Sequence, residues 1–196
     1  MRIAGYVTEL MNSRQHGSEE ALATYTCPLV ASRPAPRVLV GGLGMGFTLA
    51  AALSSLGPDA QVTVAELVPE VVEWNRGPLG ECAGRPLDDP RTRVHVGDVG
   101  RLVRESPGLF DAVLLDVDNS PEGMTHQDND WLYSAGGLRS IALSLRPGGV
   151  LGVWSVEDVP RFTAALRRAR FGVEVRRARA RGERGAWHTI WVAVRG

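Results

Sequence analysis

Val38-Leu39-Val40-Gly41-Gly42-Leu43-Gly44-Met45-Gly46 is the stretch on which the fold turns. An apolar run breaks into glycines, and an alanine- and leucine-rich helical pattern, Phe47 to Leu56, follows. Strand, tight turn and helix in that order predict a βα unit whose turn lies open to a bound molecule. Gly42, Gly44 and Gly46 put no Cβ in its way. The helix behind the turn aims free N–H groups and the positive end of its dipole at the same space. A glycine turn alone is a weak signal, because any tight βα connection can use one. Its sequel strengthens it: Gln61 to Ala65 is a second apolar run, and it ends in Glu66. An acid at the tip of the next strand, about 20 residues past such a turn, is where nucleotide-binding α/β folds hold a ribose diol.

Working outward, strands are predicted at 38–42, 61–66, 93–97, 110–116 and 149–154, with helices at 47–56, 69–76, 99–105, 131–145 and 158–169. Such alternation implies a parallel sheet covered on both faces. Two last strands, 171–179 and 187–194, are joined by a short Arg/Gly turn and pair antiparallel, because so short a link makes no parallel crossover. Upstream, residues 1–13 read as a strand or small hairpin. His16 to Thr26 reads as a helix with Ser18 as N-cap and Glu19 and Glu20 in its first turn. The expected fold is α/β, a Rossmann-like seven-stranded, mostly parallel sheet with an antiparallel final strand. Residues 1–30 are expected to form an N-terminal strand/helix segment and 31–196 the Rossmann-like cofactor-binding domain. The longest irregular stretches are 77–92 and 117–130.

The 196 residues suit one domain with a sizeable core. Twenty-two basic residues, all arginine, balance 22 acids. The average charge therefore gives no attraction to nucleic acid or membrane. The arginines from Arg161 to Arg184 make a basic C-terminal quarter, read as a solvated face. The two cysteines, Cys27 and Cys82, lack metal-ligand spacing and read as inert thiols of a reducing, cytoplasmic compartment. No apolar run reaches the roughly 20 residues that cross a bilayer. No metal site is expected: Asp118, Asn119, Glu122, His126 and Asp128 fit no metal motif.

The strand ends carry further motifs: Asp89-Pro90-Arg91, Gly97-Asp98, Phe110-Asp111 with Asp116, Leu132-Tyr133-Ser134 and Leu145-Arg146-Pro147-Gly148-Gly149. As a group, over roughly residues 12–155, they resemble the spermidine synthase branch of the class I S-adenosylmethionine-dependent methyltransferase superfamily. The resemblance implies that Glu66 and the following Leu67 flank the ribose. It further implies that Asp98 and Val99 meet the adenine, that Gln15 touches the cofactor, and that Asp116 lies at the reacting centre. Asp116 is then either the base that takes the acceptor's proton or the partner of the cofactor's ammonium. His16 is a second candidate base, since imidazole titrates near neutrality. Glu19, Glu20, Asn119 and His126 are candidate substrate contacts, the last two in a loop read as a substrate lid. His95 and His188 read as packing residues.

Departures from that family bear on the reaction. Aminopropyl transfer from decarboxylated S-adenosylmethionine brings cationic amines, and an unpaired ammonium in a partly dry site costs several kcal/mol. The family's glycine turn carries an Asp where this chain has Met45, and its second acid after the fourth strand falls at Asn119. The sequence therefore leads to S-adenosylmethionine as cofactor and methyl transfer to a small-molecule acceptor as the first expectation. Aminopropyl transfer is the alternative, and a non-catalytic cofactor-binding module the third. No membrane or nucleic-acid partner is expected, and a homodimer is left open.

Overall fold

A computed structural model describes residues 16–117, 130–182 and 184–196. The strand or hairpin expected within 1–13 and most of the 117–130 loop lie outside the described residues. Helix α1 (Gly17–Thr26) precedes β1 (Arg37–Gly41), α2 (Phe47–Ser55), β2 (Gln61–Glu66) and α3 (Pro69–Arg76). Then come β3 (Thr92–Val96), α4 (Val99–Glu105), β4 (Phe110–Leu115), α5 (Asp130–Tyr133) and α6 (Ala135–Ser144). The chain ends with β5 (Leu145–Ser155), α7 (Pro160–Arg168), β6 (Phe171–Arg181) and β7 (Arg184–Arg195). The seven strands form one sheet in the order β3-β2-β1-β4-β5-β7-β6. The pairs from β3 through to β5 are parallel. β7 runs antiparallel to both β5 and β6, as the short final turn requires.

Alternation along the strands builds two cores. Val38, Val40, Val62, Val64, Ala112 and Leu114 face α1, α2 and α3, where Leu22, Leu49, Leu53 and Val72 meet them. Leu39, Val113, Leu115, Leu151 and Val153 face α4, α6 and α7, against Val103, Leu138, Ile141, Phe162 and Leu166. A strand buried on both faces reads as an unbroken apolar run, which is why β1 and β4 stand out in the sequence. Helix α1 shares the first of these cores with residues 31–196; Leu22 and Ala23 are fully buried.

Three local expectations are corrected. The single helix expected at 131–145 is two, because Ser134 is an N-cap. Its Oγ accepts the Gly137 N–H at 3.1 Å and donates to the Trp131 carbonyl at 2.6 Å. Ser18 is not the N-cap of α1; His16 holds that position, and Ser18 is buried with its Oγ 2.7 Å from His188 Nδ1. The stretch 77–92 contains short 3-10 turns at Pro78–Ala83 and Pro86–Asp88. Among the described residues, no helix is long and apolar enough to cross a membrane.

Candidate functional site

The strand order reverses direction between β1 and β4, and the carboxyl ends of β1, β2, β3 and β4 line the crevice that such a reversal opens. The β1–α2 turn forms its floor. Gly42 has φ +91°, and a Cβ there would lie 2.2 Å from the Asp116 carbonyl oxygen. Gly46 has φ +87°, and its Cβ would lie 2.9 Å from Pro86. Neither position accepts another residue without rearrangement. Gly42 and Gly46 spend their N–H groups on the Ala65 and Leu43 carbonyls, at 2.9 and 2.7 Å. Buried Asn75, on α3, fixes the turn from behind, donating from Nδ2 to the Gly44 and Val71 carbonyls, each at 2.9 Å.

The acids at the strand ends differ in how they are held. Glu66 accepts the Leu43 N–H at 3.0 Å on Oε2 and the Val68 N–H at 2.9 Å on Oε1. Each oxygen of an ionised carboxylate has two acceptor positions, so both retain one for a diol. Asp98 caps α4, accepting the Gly100 and Arg101 N–H groups at 2.9 Å each, with Arg104 3.7 Å away. Any adenine contact is additional to that structural duty. Asp116 continues β4 by one residue; its N–H is bonded to the Gly41 carbonyl at 2.8 Å, and its Oδ2 accepts a short hydrogen bond from Thr48.

Around these acids lie apolar side chains open to water: Leu67 is 63 %, Val96 51 % and Val68 43 % exposed. A heterocycle in the crevice would bury them. Val99 is itself buried, packed under Gly41, so it offers the crevice only backbone. Trp131 lies over the start of α4, where a Cβ on Gly100 would sit 3.3 Å from its ring, and Arg104 stacks on it at 4.4 Å.

Helix α1 brings its first turn to the same place. His16 stacks on Phe47 with ring centroids 4.3 Å apart, and its Nδ1 lies 2.8 Å from Glu20 Oε1. The Glu19 carbonyl lies 3.2 Å from Thr48 Oγ1. Gly42, Gly44, Gly46, Glu66, Leu67, Asp98, Asp116, His16, Glu19 and Glu20 thus cluster at one end of the sheet, with Val99 behind them. Gln15, Asp118, Asn119, Glu122, His126 and Asp128 lie outside the described residues. Among the described residues, no three His, Cys, Asp or Glu side chains gather as a metal site.

Sequence reasoning gave no role to Thr48 or Asn75 and met Tyr133 only within the Leu132-Tyr133-Ser134 motif. Thr48 sits in the first turn of α2 and Asn75 near the end of α3, where periodicity marks them only as helical. Tyr133 is buried, its hydroxyl has no hydrogen-bond partner among the described residues, and burial first, then the Asp116 charge, pushes its ionisation up. His188, edge-on to Trp154 with ring centroids 4.9 Å apart, packs as expected. Burial pushes the Cys27 thiol up to about 12 and so makes it unreactive. In the basic C-terminal quarter two arginines lie over aromatic rings, Arg176 over Tyr25 at 4.9 Å and Arg179 over Trp187 at 4.2 Å.

The same arrangement of strands and helices occurs in known proteins. Solved structures of similar fold include a spermidine synthase in complex with the transition-state analogue AdoDATO (TM-score 0.71, 21 % identity, 93 % of this chain and 60 % of that one). Another is the 1,6-didemethyltoxoflavin-N1-methyltransferase of Burkholderia thailandensis (TM-score 0.61, 22 % identity, 91 % and 78 %). The class I methyltransferase-like fold is therefore shown. Polyamine aminopropyltransferase 2 of Pseudomonas aeruginosa is 33 % identical over 135 residues, 66 % of this chain and 36 % of that protein. Spermine synthase of Arabidopsis thaliana is 30 % identical over 125 residues, 63 % and 33 %. The chain spans about a third to a half of the length of the curated relatives it matches. The profile of the spermine/spermidine synthase domain matches residues 25–165, most of the sheet and its crevice, and the chain belongs to that family.

Proposed function

We propose that this chain is the nucleoside-binding transferase core of an aminopropyltransferase-type enzyme, which moves an alkyl group from a sulfonium nucleoside to a small amine. The observation that carries it is Asp116: an acid at the tip of β4, beside the glycine turn, with its carboxylate held by Thr48 next to the first turn of α1. Family membership favours aminopropyl over methyl transfer, which the sequence alone puts first. So does the turn: two of its three glycine N–H groups are spent on backbone carbonyls and cannot receive the α-carboxylate of intact S-adenosylmethionine. Glu19 and Glu20, close to Thr48 and His16, give α1 acids for the cationic amines that Met45 does not hold.

A bound sulfonium supplies an activated carbon and departs as a neutral thioether. The protein's work is to hold and align. Glu66 keeps acceptor positions for the ribose hydroxyls, and Leu67 and Val96 cover the base. Asp116 orients the acceptor amine and takes the proton that nitrogen loses as it bonds to carbon.

Methyl transfer from S-adenosylmethionine is the second reading, favoured by Met45 in place of an amine-binding Asp. Calorimetric titration with decarboxylated S-adenosylmethionine, S-adenosylmethionine and 5′-methylthioadenosine separates the two. Aminopropyl transfer predicts that the decarboxylated form binds at least about tenfold more tightly than the intact one, about 1.4 kcal/mol. The reverse order supports methyl transfer, and no binding of any of the three removes both readings.

A further inference from the structure

Thr48 touches both the β4 acid and α1. It is 2 % exposed, and its Oγ1 is hydrogen-bonded to Asp116 Oδ2 and lies 3.2 Å from the Glu19 carbonyl oxygen. A hydroxyl has one hydrogen to give, so the two acceptors compete for it. An ionised carboxylate is the stronger acceptor and takes the hydrogen while Asp116 is charged. A proton on Asp116 removes that advantage, and the Thr48 hydrogen then turns to the Glu19 carbonyl. The O–H bond only rotates; no bond to the Thr48 oxygen breaks.

We propose that Thr48 is the positioning residue for Asp116, orienting its carboxylate while it is ionised and passing its change of charge to the first turn of α1. This rests on the reading of Asp116 as the acceptor's base. The turn that receives the signal carries Glu19, Glu20 and His16, and His16 stacks on Phe47, the residue before Thr48. These three lie on the first turn of α1, and Tyr133 on α5 feels the Asp116 charge; among the described residues, the β1–α2 turn, Gly42 to Phe47, contributes no charge. Proton uptake at the reacting centre is thereby coupled to a segment flanking the crevice, through 68 positions of sequence.

The test is a carbon-13 NMR pH titration of the whole chain, following the Asp116 carboxyl and the Glu19 carbonyl carbon, with Asp116→Asn identifying the first signal. In the unaltered protein the Glu19 carbonyl should show an inflection at the Asp116 midpoint, and Asp116→Asn should abolish it. Thr48→Ser should keep the inflection. Thr48→Val should erase it and move the Asp116 midpoint up by about one pH unit, because the ionised form loses a donor. A Glu19 signal that stays flat in the unaltered protein, or an inflection that survives Thr48→Val or Asp116→Asn, overturns the proposal. Calorimetry with 5′-methylthioadenosine is run alongside. Failure of that nucleoside to bind defeats the functional reading and leaves the NMR result on Thr48 standing.

Discussion

Strand β4 has an acid at each end, and the two are held in opposite ways. Asp111, at its start, is 1 % exposed, and its carboxylate accepts three donors, two of them guanidiniums. Arg33 Nη1 and Arg146 Nη1 each donate to it at 2.9 Å, and the Arg37 N–H donates at 2.8 Å. Asp116, one residue past the end of β4, is held by the neutral hydroxyl of Thr48 beside a glycine turn. The same contrast runs along the sheet. At the amino ends of the strands charges are locked in structural clamps: Arg91 donates to the Leu53, Leu56 and Gly57 carbonyls at the end of α2 while pairing with Asp89 at 2.8 Å, and that pairing holds the Asp89 carboxyl below its usual range. At the carboxyl ends, Glu66 is held by two backbone N–H groups and keeps acceptor positions, while Asp98 caps α4 with Arg104 3.7 Å away.

Breaking the comparison at its functional end should give the largest effect. Asp116→Asn should lower turnover with a diamine acceptor by about 10²–10⁴, while urea unfolding changes by less than about 1 kcal/mol. At the structural end the pattern inverts. Asp111→Ala strands two arginines that are only partly exposed and should cost about 3 kcal/mol of unfolding free energy, with nucleoside affinity of the folded protein kept within a few-fold. If both variants lose stability alike, the contrast fails.

Two smaller effects sharpen it. Glu66→Ala should weaken nucleoside binding by roughly 1.5–3 kcal/mol in calorimetry, partly because Leu43 and Val68 lose the acceptor for their N–H groups. Unchanged affinity in a folded variant would remove Glu66 as the ribose ligand. The smallest effect lies at His188, which packs on Ser18 of α1. Burial holds the His188 imidazole below its ordinary value, so the unfolded chain binds its proton first as pH falls. The stabilisation is complete above about pH 6.5 and declines below it. Urea midpoints at pH 7.5 and 5 should show a loss of under about 1 kcal/mol that shrinks in His188→Gln.

The sequence displays what is local. The apolar run into Gly42, the acid closing β2 and the acid closing β4 are each readable within a few residues, because strand period and turn chemistry are local rules. What it hides is pairing across the chain. Ser18 looks like a helix cap until its partner, His188, is found 170 positions away. Thr48 looks like any residue of a helical first turn. Asp89-Pro90-Arg91 is one of the motifs that carry the family resemblance, yet its physical work, closing the carbonyl end of α2, needs the three-dimensional neighbourhood. Ser134 divides a helix that periodicity alone joins, because a cap competes with propensity there.

If the two ends of the sheet divide the work in this way, the carboxyl ends of β1 to β4 bind a sulfonium-type nucleoside and the amino ends do not. Amide NMR during titration of the whole chain with 5′-methylthioadenosine tests that division most directly. The largest shifts should fall at Gly42 to Phe47, Glu66 to Val68 and Gly97 to Gly100, with the amides of Arg33, Arg37, Asp111 and Gly149 still. Saturating nucleoside with no shift in the glycine turn, or with shifts centred on the Arg33–Asp111 end, would contradict it.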